Sequence, residues 1–248
     1  QVGRAGTCIV ADIDLYGQRE LKKIDGKYWL FFHSYPGEGY EVGSASQGIA
    51  WTEEDSLLNW HISDQPIFAK SEGKQWDSGG LYGNWVFPTE NRYCMFYNGK
   101  ENLEWPWHEQ VGLAFSEDML HWKRCGQNPV LPVSQNGWDC YFSCGQHVLY
   151  DSKRKQWVMF YCGYDGVHAQ EGVAVSGDML HWEKKKEPII PNGPAGSLDE
   201  KHAHKPGVIW HEGVLYHYYC SVRPAYGKEK EIYGDEYRCI TVARSIPW

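Results

Sequence analysis

The densest chemistry in this 248-residue chain is the run LDEKHAHKPGVIW at 198–210, where Asp199, Glu200, His202, His204 and Lys205 fall within seven residues. Histidine is the side chain that titrates nearest neutral pH, so His204 can serve as a general acid or as a sugar-binding group. His202 and His204 are two apart and would share one face of a strand. With Asp199 they could reach a divalent ion, but no third histidine lies nearby in sequence, and no metal or other cofactor is assigned. Asp199 also has counterparts. Asp77 and Asp139 each follow a tryptophan, and all three aspartates stand five residues before a common position held by Tyr82, Cys144 and His204. Asp12 and Asp14 stand four and two residues before Tyr16 in the same way.

Convergent carboxylates suit cleavage of a glycosidic bond. One must stay ionised as base or nucleophile, and another must hold a proton for the leaving oxygen. Crowding of like charge raises one pKa for that second role. Asp14, Asp77, Asp139 and Asp199 are therefore catalytic candidates. Asp77 and Asp139 have an equally good reading as loop caps, because repetition argues for architecture. Asp14 breaks the repeat, which favours it as base or nucleophile. Glu20 breaks it too, standing where other units have Val86, Val148 and Val208. Glu171, just before a third strand, is the carboxylic alternative to His204 as acid. Candidate substrate contacts are Arg19, Glu20, Tyr82, His147, His202, Lys205 and Arg223, with Trp105 and Trp107 of the inserted loop ENLEWPWHEQ.

These residues must be positioned by a repeat. GLAFSEDMLHWK (112–123) and GVAVSGDMLHWE (172–183) are near-copies, GIAWTEEDSLLNWH (48–61) is looser, and TVARSIPW (241–248) is degenerate. An aromatic run precedes each copy, and an acidic lead-in precedes each run. Repeat units span about 12–68, 77–131, 139–190 and 199–248. HVLYD and WVMFY, joined by SKRKQ, read as a hairpin, and GVAVS and HWEKK as third and fourth strands. Four-stranded units of this length make an all-β chain, a single β-propeller domain over 1–248, with a sandwich as the runner-up. Residues 1–11 could supply a closing strand. The S-x-D-x-x-x-W element reads as a turn between strands three and four, with Trp122 and Trp182 as packing residues.

Composition narrows the partners. The net charge is −8 and no basic cluster appears, which argues against nucleic acid. No apolar run reaches the roughly 18 residues of a spanning helix. Thirteen Trp, 17 Tyr and 8 Phe are more than a core needs, and flat rings suit sugar faces. The eight cysteines show no metal spacing, and most read as free thiols. The chain begins at Gln1 without Met, which leaves the compartment open.

The pattern VGLAFSEDMLHWKRCGQNPVL…GWDCYFSCGQHVLYD…WVMFYCGY resembles the five-bladed propeller glycosidases of families 32, 43, 117 and 130, over roughly residues 10–248. The resemblance implies a propeller, with acid and base at its mouth and an oligosaccharide or side-branch sugar as substrate. A histidine acid, as in family 117, would correspond to His204. The chain departs from the family in showing four units rather than five, and in lacking the Asp-Pro and Glu-Gly-Pro elements. A missing blade would open sheet surfaces to a partner copy, making a homo-oligomer. A sugar phosphorylase, which needs a cationic site such as Arg19, Lys205 and Arg223, and a non-catalytic carbohydrate-binding propeller are the rival readings.

Overall fold

The computed structural model describes residues 3–39 and 42–245. The last three residues of the TVARSIPW copy fall outside them. The chain divides into two compact units, Gln1–Pro132 and Val133–Trp248. Each unit holds two antiparallel blades built on the repeat, and in the second unit a single parallel pairing, Ala169 with His202, joins its two blades.

In the first unit, one blade consists of β1 (Gly3–Ile9), β2 (Tyr28–Tyr35), β3 (Ser46–Thr52) and β4 (His61–Ile62), paired in that order. The next contains β5 (Gly80–Pro88), β6 (Tyr93–Lys100), β7 (Glu109–Ser116) and β8 (Lys123–Arg124). The second unit repeats the plan with β9 (Phe142–Asp151), β10 (Gln156–Tyr164), β11 (Ala169–Ser176) and β12 (Glu183–Lys184). Its last blade has β13 (His202–His211), β14 (Val214–Pro224) and β15 (Glu236–Arg244), with a short helix α1 (Glu229–Tyr233) between the last two. No helix is long and apolar enough to cross a membrane.

Aromatic and β-branched side chains drive these strands together. Phe31, Ile49, Leu81, Val86, Met95 and Tyr97 form the core of the first unit, each at most 2% exposed. Val148, Leu149, Met159, Tyr161 and Val208 are as deeply buried in the second. The S-x-D-x-x-x-W element is a turn, as its residue types predict. Asp178 Oδ1 accepts from the backbone N–H of Leu180 and His181, both at 2.9 Å, while Met179 takes the left-handed φ of 68°. Trp182 Nε1 then donates to the Met179 carbonyl at 2.9 Å, and Trp122 does the same with Met119. All eight cysteines are free thiols.

The first strand of every blade carries a bulge near its start. It falls after Gly6, Tyr82, Cys144 and His204. The extra residue has positive φ at Gly83 (36°), Gly145 (64°) and Lys205 (65°). Lys205 is the one side chain of those three forced into a region that glycine occupies freely. This aligns Tyr82, Cys144 and His204 as the sequence predicts, but corrects the first blade. There the position is held by Gly6 rather than Tyr16, and residues 3–9 form that blade's own first strand rather than closing another.

Candidate active site

The leading end of each blade is the end at which its first strand begins. Just before it lie the repeated aspartates, which turn into the blade and bond its later strands. Asp77 is fully buried and accepts from Arg124 Nε at 2.8 Å, on the outermost strand β8, and from the Tyr97 hydroxyl at 3.4 Å. Asp139 accepts from Lys184 Nζ at 2.7 Å, on β12, and from the Tyr161 hydroxyl and Ser143 Oγ, each at 3.2 Å. Asp199 accepts from the Tyr219 hydroxyl and Ser197 Oγ, each at 2.8 Å. Burial and the adjacent carboxylates push the Tyr97 and Tyr161 hydroxyls far above their ordinary range, so both remain donors.

The tryptophan before Asp77 or Asp139 completes the lock. Trp138 stacks on Tyr161 with ring centroids 5.5 Å apart, and Trp76 on Tyr97 at 5.7 Å. The slot exists because strands two and three are bare there. A Cβ at Gly163 or Gly172 would stand 2.2 or 2.3 Å from the Trp138 ring. Asp77, Asp139 and Asp199 thus each bond a side chain of a later strand of the blade, while Asp77 Oδ1 is buried without a partner.

The other first-unit candidates lie elsewhere. Thr7 beside Asn84 and Cys8 beside Val86 show that β1 and β5 run side by side in the same direction. Residues 10–27 join the far end of β1 to β2, so Asp14, Arg19 and Glu20 sit at the end opposite Tyr82. Asp14 Oδ1 accepts from the Tyr16 N–H at 3.2 Å, capping a tight turn. Arg19 lies 5.1 Å over the Trp85 ring and donates to the Asp12 carbonyl, while Glu20 is exposed. The predicted ring of acids at the leading end therefore fails in the first blade, because the sequence register was ten residues late.

At the leading end of this unit, Tyr82 is buried and its hydroxyl donates to the Gly43 carbonyl at 2.9 Å. Trp107 is half-buried, and its Nε1 donates to Glu109 at 3.0 Å. Trp105 packs edge-on against it at 5.1 Å and is 51% exposed. Trp105 lines a shallow cleft of about 620 Å³ with Ser44, Lys70, Ser78, Glu101 and Glu104. An exposed indole beside hydroxyls and carboxylates can stack on a sugar and bond its rim.

The second unit is different in kind. Across its blades the bulge row reads Cys144–Cys162–Glu171 and His204–Cys220–Ile240. Glu171 thus stands on β11 where the other blades place Gly48, Val111 and Ile240. It is 0% exposed, and neither carboxyl oxygen has a hydrogen-bond partner. His217 Nε2 approaches to 3.7 Å, and the nearby thiols are Cys162 and Cys220. Burial raises the Glu171 pKa well above the ordinary value, and the two thiols add to that, which favours the protonated carboxyl. Burial likewise lowers His217 to about 4. Gln146 Oε1 and His204 Nε2 are also buried without partners. Such orphaned polar atoms are what a bound water or ligand hydroxyl satisfies.

The remaining histidines are placed less openly. Burial, then the Lys205 charge, lowers His204 to about 3, which favours the neutral imidazole. His202 Nδ1 accepts from the Ala169 N–H at 3.1 Å, which removes one of its two ligating atoms. Among the described residues no group of three His, Cys, Asp or Glu is disposed to hold a metal. His147 is buried, and its Nδ1 accepts from the Val208 N–H at 3.1 Å. Arg223 is gripped by Glu229 through two bonds of 2.8 Å, and Lys205 is exposed at its bulge. His217 and Gln146 were not singled out by sequence. The signal that could have found His217 is a polar residue inside the apolar run VLYHYYCS.

Comparison with known proteins fits this geometry. The sequence model of the glycosyl hydrolases family 32 N-terminal domain matches residues 112–233. No curated protein matches the chain. A solved complex of BT0996 with RGII shares 28% identity, with a TM-score of 0.81 over 98% of this protein and 70% of that one. A structure described as a glycoside hydrolase also shares 28%, with a TM-score of 0.82 over 99% and 70%. The family 32 β-fructofuranosidase BmSUC1 of Bombyx mori, at 15% identity and a TM-score of 0.65 over 96% and 46%, shares the fold. These matches reach across families of the five-bladed β-propeller glycosidase superfamily, which the chain resembles, and they do not single out one family.

Proposed function

We propose that the chain hydrolyses a glycosidic bond of an oligosaccharide or side-branch sugar, with Glu171 as the proton donor. The observation that carries this reading is a buried, unbonded carboxyl in a row where the other blades have Gly, Val and Ile. Similarity to glycoside hydrolases supplies the reaction class. A leaving oxygen needs a proton as the bond to the anomeric carbon breaks, and a carboxyl that stays protonated at neutral pH can give it. Enclosure from bulk water keeps that proton in place until a sugar oxygen takes it. Neutral His204 and Gln146, in the same unit as Glu171, would bond sugar hydroxyls.

The test is turnover of a panel of aryl glycosides and plant oligosaccharides by the wild type, Glu171→Gln and Asp14→Asn. We expect Glu171→Gln to lose about a thousandfold in kcat with its fold intact, the scale of an essential acid. Asp14→Asn should stay within about threefold, because its carboxylate caps a tight turn. Equal activity of Glu171→Gln and wild type overturns the assignment. Binding of sugars without turnover favours the non-catalytic reading, which has its own support: the bulge positions hold Gly6, Tyr82 and Cys144, none of them acidic. The phosphorylase reading is weakened, since Arg223 is engaged by Glu229 and Arg19 lies at the far end.

A further inference from the structure

Lys100 ends β6 at the leading end of the second blade, opposite Gly80. It is only 9% exposed. Its ammonium lies 3.8 Å from the centroid of the Trp107 ring and 5.4 Å from that of Tyr82. Among the described residues no carboxylate pairs with it. Glu101, its neighbour in sequence, turns to His108 Nδ1 at 3.0 Å, and Glu109, its cross-strand partner, accepts from Trp107 Nε1. Elsewhere in this unit buried charges are paired, as Asp77 is with Arg124. Two ring faces stabilise a cation, but they supply no acceptor for its three N–H groups. With its stem covered and no carboxylate beside it, the ammonium is left able to take an anionic partner.

We infer that Lys100 is the anion-binding residue of a subsite for the carboxylate of an acidic sugar. The inference rests on the carbohydrate reading above and names its substrate class. A uronic acid presents a carboxylate beside a ring with apolar faces. Lys100 would meet the charge through charge-assisted hydrogen bonds, and Trp107 with exposed Trp105 would line the apolar faces. A neutral sugar would leave the ammonium as it is and gain nothing from it.

The test is calorimetric titration of the full chain with oligogalacturonides and glucuronate-containing oligosaccharides, beside the same pools after carboxyl reduction. The acidic pools should bind about tenfold tighter than the reduced ones, a gap of about 1.4 kcal/mol, and lose that advantage at high salt. Lys100→Met, which keeps an apolar stem under the rings, should shrink the gap to about twofold, and Lys100→Arg should restore most of it. If Lys100→Met does not fold, the salt dependence of the wild type carries the test. Equal affinity for acidic and reduced pools, no binding of either, or a gap unchanged in Lys100→Met overturns the inference. Hydrolysis of neutral glycosides without that gap would retain the hydrolase and discard the subsite. A gap without hydrolysis would do the reverse.

Discussion

Asp139 and Glu171 are buried carboxyls of the same blade, 3% and 0% exposed, and their surroundings are opposite. Asp139 is bonded by an ammonium, a phenol and a hydroxyl, and it recurs as Asp77 and Asp199. Glu171 is bonded by nothing and recurs nowhere. A repeated acid is one that every blade needs, which makes it part of the frame. An acid present once, in a place that other blades fill with apolar residues, costs stability without serving the frame. Natural folds tolerate that cost mainly where chemistry is done.

The comparison breaks if the two acids respond alike to neutralisation. Asp139→Asn leaves the Lys184 ammonium buried without its counter-charge. We expect a loss of about 3–5 kcal/mol in denaturant unfolding, with turnover per folded molecule unchanged. Removing both charges, as Asp139→Asn with Lys184→Met, should cost less than the single change, because no unpaired ion remains. Loss of turnover in a folded Asp139→Asn protein would return this acid to the site.

The tryptophan half of the lock can be tested separately. Gly172→Ala drives a methyl to within 2.3 Å of the Trp138 ring, which is held against Tyr161. We expect about 1–3 kcal/mol of destabilisation, the usual cost of overpacking, read as a shifted denaturation midpoint. The same substitution at Gly177, where nothing lies within 4 Å, is the control and should change little.

The repeat was legible in the sequence because four copies of one plan leave matching aromatic runs and turns. The bulge alignment of Tyr82, Cys144 and His204 was legible for the same reason. The first blade is not legible, because its copy lacks the Trp-Asp lead-in and Asp12 imitates one in a register ten residues late. The fate of the acids was not legible. Whether an aspartate before a strand points to the ligand or to a lysine two strands away depends on Lys184 and Tyr161, which lie 45 and 22 residues away in the chain. Lys100 passed unnoticed because its missing partner is a fact of space, not of spacing.

The smallest expected effect sharpens the comparison furthest, since it needs no substrate. Glu171 has a folded pKa raised well above 4.5, so above that pH the unfolded chain gives up a proton that the folded chain keeps. Its contribution therefore lowers stability as pH rises, by up to about 1.4 kcal/mol per pH unit, until the folded group itself ionises. His217 acts the other way. With a folded pKa of about 4 against an ordinary 6.5, it contributes stability that is complete above 6.5 and is lost as pH falls towards 4. His204, lowered to about 3, and His202, lowered to about 4, add to that acid-side slope. Below pH 6.5 the terms oppose; above it the Glu171 term stands alone among them. The difference in unfolding free energy between Glu171→Gln and wild type should therefore grow in the variant's favour from pH 6.5 to 8. A constant difference across that range would mean that the folded Glu171 has already given up its proton by pH 6.5.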